Sequence, residues 1–66
     1  MSTIEQRADW AMAAADNIDR NLADAVDGDL DNIQEHMYTL AHDGAVDAGA
    51  TMEDATEIAI MLAGEQ

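Results

Sequence analysis

Apolar side chains recur every three or four positions along most of the chain, and no run alternates apolar with polar as a half-buried strand would. The first segment is the most regular. Ile4, Ala8, Ala11, Ala15, Ile18, Leu22 and Ala25 or Val26 line one side of about six helical turns, which predicts a helix over 4–26. Either Ser2 with Glu5 or Thr3 with Gln6 has capping-box spacing at its start. Ala8, Ala11 and Ala15 would let a partner helix come close, and Asp27-Gly28-Asp29 reads as the turn that ends the segment.

Asp29 is placed to cap a second helix over 30–43, with Leu30, Ile33, Met37, Leu40 and Ala41 as its stripe and Gly44 as its terminator. Residues 45–48 are too few for an independent helix but long enough for one extra helical turn. Thr51, with Asp54 three residues on, caps a third helix over 52–63, whose stripe is Met52, Ala55, Ile58, Ala59 and Leu62 before Gly64. Ile60 and Met61 fall outside that stripe. They are expected to pack on the turn around Val46, the alternative being an apolar edge left for a partner. The pattern as a whole predicts one all-α domain over 1–66, a compact bundle of three helices.

The polar positions are as ordered as the apolar ones. At about 100° per residue, Glu5, Asp9, Asp16 and Asp27 lie opposite the apolar side of the first helix, flanked by Asp19 and Asp24. Asp29 continues this array through the turn, and Asp31 and Glu35 extend it onto the outer side of the second helix. Arg20 stands four residues from both Asp16 and Asp24, so it should relieve repulsion within the acidic face by a few tenths of a kcal/mol per pair. Glu53, Asp54 and Glu57 form a smaller patch where the third helix starts, a position the helix dipole favours for negative charge.

Composition turns this face into the main clue to function. The 66 residues hold 15 acidic and 2 basic side chains, a formal net charge of -13, and the only cations are Arg7 and Arg20. Nucleic acid and anionic membrane both require a Lys/Arg footprint, so neither is expected as a direct ligand. A chain of this size buries only about 60% of its unfolded surface, which leaves little room for a catalytic cleft. The absence of cysteine removes disulfides, thiolate metal sites and cysteine nucleophiles. High charge alone would suggest disorder, but 48% hydrophobic residues and no proline favour folding. No signal-peptide pattern is visible, and the longest apolar run, 58–63, is far short of a membrane span, so the expected compartment is the cytoplasm.

Candidate reactive groups do not assemble into a site. Asp27, Asp29 and Asp31 have the opening spacing of a calcium loop, but Asn32 stands where its glycine belongs and Tyr38 where its bidentate glutamate belongs. His36 and His42 are six apart, not the four that would place both on one ion, and Glu35 with His42 is expected in solvent. No hydroxyl has an oriented base nearby in sequence. No enzyme activity, metal or cofactor is expected. Trp10 and Tyr38, the only aromatics, sit off the centre of their stripes. Trp10 is expected to close one flank of the core against the third helix, whereas Tyr38 is as well suited to an interface as to the core.

An ordinary protein surface intersperses both signs, because a field of one sign costs stability. Two readings explain why this chain keeps one. A first helix of about 22 residues is about 33 Å long, the length of about 10 base pairs, and six carboxylates lie on or beside it. Such a surface could occupy a protein that grips DNA. Alternatively, acidic surfaces stay hydrated in a salt-saturated cytosol, where the repulsion is screened; the excess of 10 Asp over 5 Glu and the lack of lysine fit a halophilic structural or interaction module.

A short, cysteine-free helical chain with Asp9, Asp16, Asp19, Asp24, Asp27, Asp29, Asp31 and Glu35 in continuous array resembles the phage-encoded anti-CRISPR proteins. Among these it is most similar to the small acidic inhibitors of type I systems, type I-C included. The resemblance covers size, charge and helical content rather than a motif. It implies a stoichiometric inhibitor, monomeric and acting in the host bacterial cytoplasm, that binds the crRNA-guided surveillance complex (Cascade) and blocks target DNA. From the helix geometry, the partner-binding residues are expected to be Glu5, Asp9, Asp16, Asp19, Asp24, Asp27, Asp29, Asp31 and Glu35.

Overall fold

A computed structural model describes residues 3–64. Three α-helices, α1 (Ile4–Val26), α2 (Ile33–Asp47) and α3 (Met52–Leu62), form an all-α bundle, with a single 3₁₀ turn (Leu30–Asn32) leading into α2. The helix α2 packs against both others, most extensively α1, while α3 touches α1 less. At the start of α1, the Thr3 hydroxyl accepts from the Gln6 amide at 3.0 Å, and the Gln6 side chain accepts from the Thr3 amide at 3.1 Å. The alternative box rests on Ser2, outside the described residues. Asp27 ends α1 in the left-handed region at φ 44°, followed by Gly28 at φ 91°. Aspartate tolerates this conformation better than most residues, so the turn needs glycine at only one of the two positions.

The second helix departs from expectation at both ends. Asp29 makes no side-chain cap; its carboxylate turns to the Asn32 side-chain amide at 3.1 and 3.2 Å and to His36 Nε2 at 3.3 Å. The chain therefore passes through the 3₁₀ turn before α2 begins at Ile33. Gly44 does not stop α2, which runs without a break through the predicted extra turn to Asp47. Its role is steric. A Cβ on Gly44 would lie 2.9 Å from the Ala13 carbonyl oxygen, the Ala14 Cα and the Asn17 Cβ, so the absence of a side chain is what lets α2 rest directly on the α1 backbone. The stop comes at Gly49, φ 112°, where the Gly49 amide donates to Val46 and the Ala50 amide to Ala45, both at 3.0 Å, in the Schellman pattern. Thr51 then caps α3 by accepting from the Asp54 amide at 3.1 Å.

The core is narrow and alanine-rich. Ala14, Ala41, Ala45, Ala55 and Ala59 are fully buried around Trp10, Ile18 and Ile58. On α1 the expected stripe holds at Ile18 and Val26, which are buried, and at Ala11 and Leu22, which pack on the core, but Ile4 and Ala8 are exposed and Ala15 only half-buried, and Trp10 and Ala14 are buried in their place. Trp10, Ala14, Ile18, Leu22 and Val26 follow one i to i+4 ridge, which turns slowly around the helix as a crossing helix requires. Trp10 is thus a core residue, and its indole Nε1 lies 3.8 Å from where a Gly49 Cβ would sit. Met52 and Met61 are exposed rather than packed, and Ile60 is 44% exposed. Met61 borders a groove with Ile4, Arg7, Ala8 and Ala11, so it faces the start of α1 instead of the Val46 turn.

Gly44→Ala should therefore destabilise, although alanine is the better helix former. Overpacking costs about 1–3 kcal/mol, equivalent to a drop of roughly 5–15 °C in Tm for a domain of this size. Thermal unfolding followed by circular dichroism checks this, and an increase in Tm would show that the close approach does not exist.

Candidate functional site

Every acidic residue named from the sequence is exposed except Asp54, which is half-buried, and among the described residues no polar or charged one is buried. The reason is the core just described: its inward positions are filled by alanine and a few large apolar side chains, leaving the carboxylates to the outer arcs. On α1, Glu5, Asp9 and Asp16 lie opposite the Trp10-to-Val26 ridge, and Asp27 extends their line past the C-terminus of the helix. Asp19 and Asp24 flank it on opposite sides. Asp27, Asp29 and Asp31 then follow at alternate positions through the turn and into the 3₁₀ segment. Glu35 stands apart from the α1 row. By helical angle it is on the side of α2 with Tyr38 and His42, away from Leu40 and Gly44, which meet α1.

The positive charges do little to neutralise this surface. Arg7 donates to Glu57 at 2.6 Å and so ties the start of α1 to α3, a link between residues 50 apart that local spacing could not reveal. Arg20 meets Asp16 at 3.0 Å and not Asp24, so one of its two expected pairs forms. Both pairs are well exposed, which limits each to about 1 kcal/mol or less. The fourteen described carboxylates less two arginines leave a net of -12 along a molecule 38 Å long, or one charge per about 3 Å. A single DNA strand carries one per ~3.4 Å of axis.

Asp47 was not anticipated as a neighbour of this array. Because α2 continues past Gly44, Asp47 reaches a polar groove between the helices together with Asp16, Asn17, Arg20 and Asn21. Asn17 holds that groove by donating to the Leu40 carbonyl at 2.8 Å. The only sequence signal for this placement was the polar 3-4 repeat Asp16, Asn17, Arg20, Asn21. His42 stacks on Tyr38 with ring centroids 6.2 Å apart, and Tyr38 is half-buried against the core. Among the described residues no group of three or more His, Asp or Glu side chains could hold a metal ion. No described helix is long and apolar enough to cross a membrane. No family model, curated protein or solved structure matches the chain.

Repulsion on this scale should make the fold respond to salt. Raising NaCl from about 10 mM to about 0.5 M shortens the Debye length from ~30 Å to below ~8 Å, and Tm is expected to rise by several degrees. A fall in Tm would mean that the Arg7 and Arg20 pairs outweigh the repulsion.

Proposed function

We propose that this protein is a non-enzymatic inhibitor that acts as a DNA mimic, presenting the α1 row and the Asp27–Asp31 turn to the cationic DNA path of a nucleic-acid-binding protein. The observation that carries this reading is the surface charge: the eight carboxylates Glu5, Asp9, Asp16, Asp19, Asp24, Asp27, Asp29 and Asp31 in a molecule 38 Å long, or one per about 5 Å, within a factor of two of the one phosphate per ~3.4 Å of a DNA strand. The α1 helix supplies most of the length, its 23 residues spanning about 34 Å. The resemblance to small acidic anti-CRISPR proteins supplies the target, the Cascade complex of a type I system, whose lysines and arginines would meet carboxylates in place of phosphates. Association would be fast and steered, and it would weaken with salt.

One observation favours a second reading. Asp43, Asp47, Glu53 and Glu57 are exposed outside the proposed face, as expected of an acidic surface adapted to concentrated salt. That halophilic module would fold only at molar salt, so a cooperative thermal transition in dilute buffer counts against it.

Displacement of labelled target duplex from purified Cascade tests the mimic reading. The protein should displace it at near-stoichiometric amounts in low salt, and unchanged duplex binding would remove the proposal. The triple variant Asp16→Lys, Asp24→Lys and Asp31→Lys should lose inhibition by at least about tenfold, since each reversal places like charges face to face, while its helical CD signal persists. Full inhibition by the variant would place the interface elsewhere.

A further inference from the structure

Aspartate followed by glycine occurs at two places in this chain, Asp27-Gly28 and Asp43-Gly44. The pair has a covalent reaction open to it: a glycine amide nitrogen, unshielded by any Cβ, can attack the preceding aspartate Cγ and close a succinimide ring. The peptide group between the two residues must first turn over. Whether it can is decided by the fold, and the fold treats the two pairs differently.

Asp43-Gly44 is locked. It lies inside α2, where the Gly44 amide and the Asp43 carbonyl both belong to the helical hydrogen-bond ladder. Gly44 is also buried, with the Ala13 carbonyl oxygen and the Ala14 Cα 2.9 Å from where its Cβ would lie. Turning this peptide group means breaking α2 against the α1 backbone.

Asp27-Gly28 is free. Asp27 sits just past α1 at φ 44° and ψ 48°, and Gly28 follows at φ 91°. The turn is held by the Asp27 amide, which donates to the Ala23 carbonyl at 3.0 Å, and by the Asp29 amide, which donates to the Val26 carbonyl at 2.8 Å. Among the described residues, neither the Asp27 carbonyl nor the Gly28 amide takes part in a hydrogen bond. Both residues are exposed, and nothing lies within 4 Å of where a Gly28 Cβ would be. Counter-rotation about the Asp27 ψ and the Gly28 φ therefore flips this one peptide group while its neighbours stay in place, since glycine accepts either sign of φ.

We infer that Asp27 is a site of spontaneous isomerisation to isoaspartate, whereas Asp43 is protected by the fold. The Gly28 nitrogen bonds to the Asp27 Cγ, and the carboxyl hydroxyl leaves as water with the amide proton. A second water opens the ring. Addition at Cγ restores aspartate; addition at the main-chain carbonyl breaks the bond from that carbon to nitrogen and leaves a backbone that runs through Cβ and Cγ. Net charge is conserved, but the main chain gains one atom and the carboxylate moves to the former backbone carbon. The left-handed cap that steers the chain from α1 toward α2 is lost with it. The inference stands on the turn and does not depend on the proposed function, although Asp27 belongs to the proposed acidic face.

The test is incubation of the full chain in neutral buffer prepared with oxygen-18 water. Each ring opening puts one heavy oxygen into the aspartyl residue, and cleavage after Glu35 separates the two pairs for mass analysis. Label and isoaspartate should accumulate at Asp27 at least about tenfold faster than at Asp43, which can react only when α2 opens. In urea sufficient to unfold the chain, the two sites should react at similar rates. No label at Asp27 in the folded protein, or equal labelling of the two sites there, overturns the inference.

Discussion

The close approach of α2 to the α1 backbone at Gly44 is the contact on which the rest of this molecule depends. With atoms of Ala13, Ala14 and Asn17 only 2.9 Å from where a Gly44 Cβ would be, the two helices meet almost backbone to backbone. The fully buried alanines Ala14, Ala41 and Ala45 extend that contact. A narrow interface leaves no interior volume for polar groups, and among the described residues no polar or charged one is buried. Small side chains inside thus drive the carboxylates outside, so the packing of the core and the charge of the surface are two consequences of one composition.

The arrangement has an energetic cost. A domain of this size has limited apolar area to bury, and an alanine core supplies less of it per residue than leucine or isoleucine would. Against that small driving force stands the repulsion of a surface at -13. The two arginines each offset it by a modest amount, and only Arg7, through Glu57, joins separate helices. A fold this lightly held would be easier to stabilise with lysine in place of several aspartates, which is the physical reason to look for a function in the field itself.

The first and third helices were legible in the sequence because each was marked by both periodicity and an N-cap, Thr3 with Gln6 and Thr51 with Asp54, and the Asp27-Gly28 turn marked the end of the first. Two local signals misled. Gly44 has the composition of a helix terminator, but its glycine serves a contact made across the bundle, which no local pattern encodes, and the stop fell to Gly49 instead. Asp29 has the composition of a cap, yet its carboxylate found Asn32 and His36, and the delayed start of α2 left Leu30 in solvent. The inward side of α1 was misjudged in its N-terminal half for a related reason. The stripe through Ile4, Ala8 and Ala15 misses the core there, where Trp10 and Ala14 are buried instead, and joins the i to i+4 ridge at Ile18, Leu22 and Val26. The acidic row survived this error, because Glu5, Asp9 and Asp16 are far enough from either apolar line to remain outside. Asp47 could be placed only once α2 was known to continue past Gly44.

The central claim is that carboxylates of this protein occupy the same cationic groups that duplex phosphates occupy. Duplex binding to such groups weakens linearly in log salt, with a slope set by the number of phosphates neutralised. Equilibrium affinity of the protein for a type I Cascade complex, measured between about 50 and 500 mM NaCl beside that of target duplex, tests the claim most directly. The account predicts two steep lines of the same sign. An affinity that is independent of salt, or a protein and duplex bound together on one complex, would contradict it.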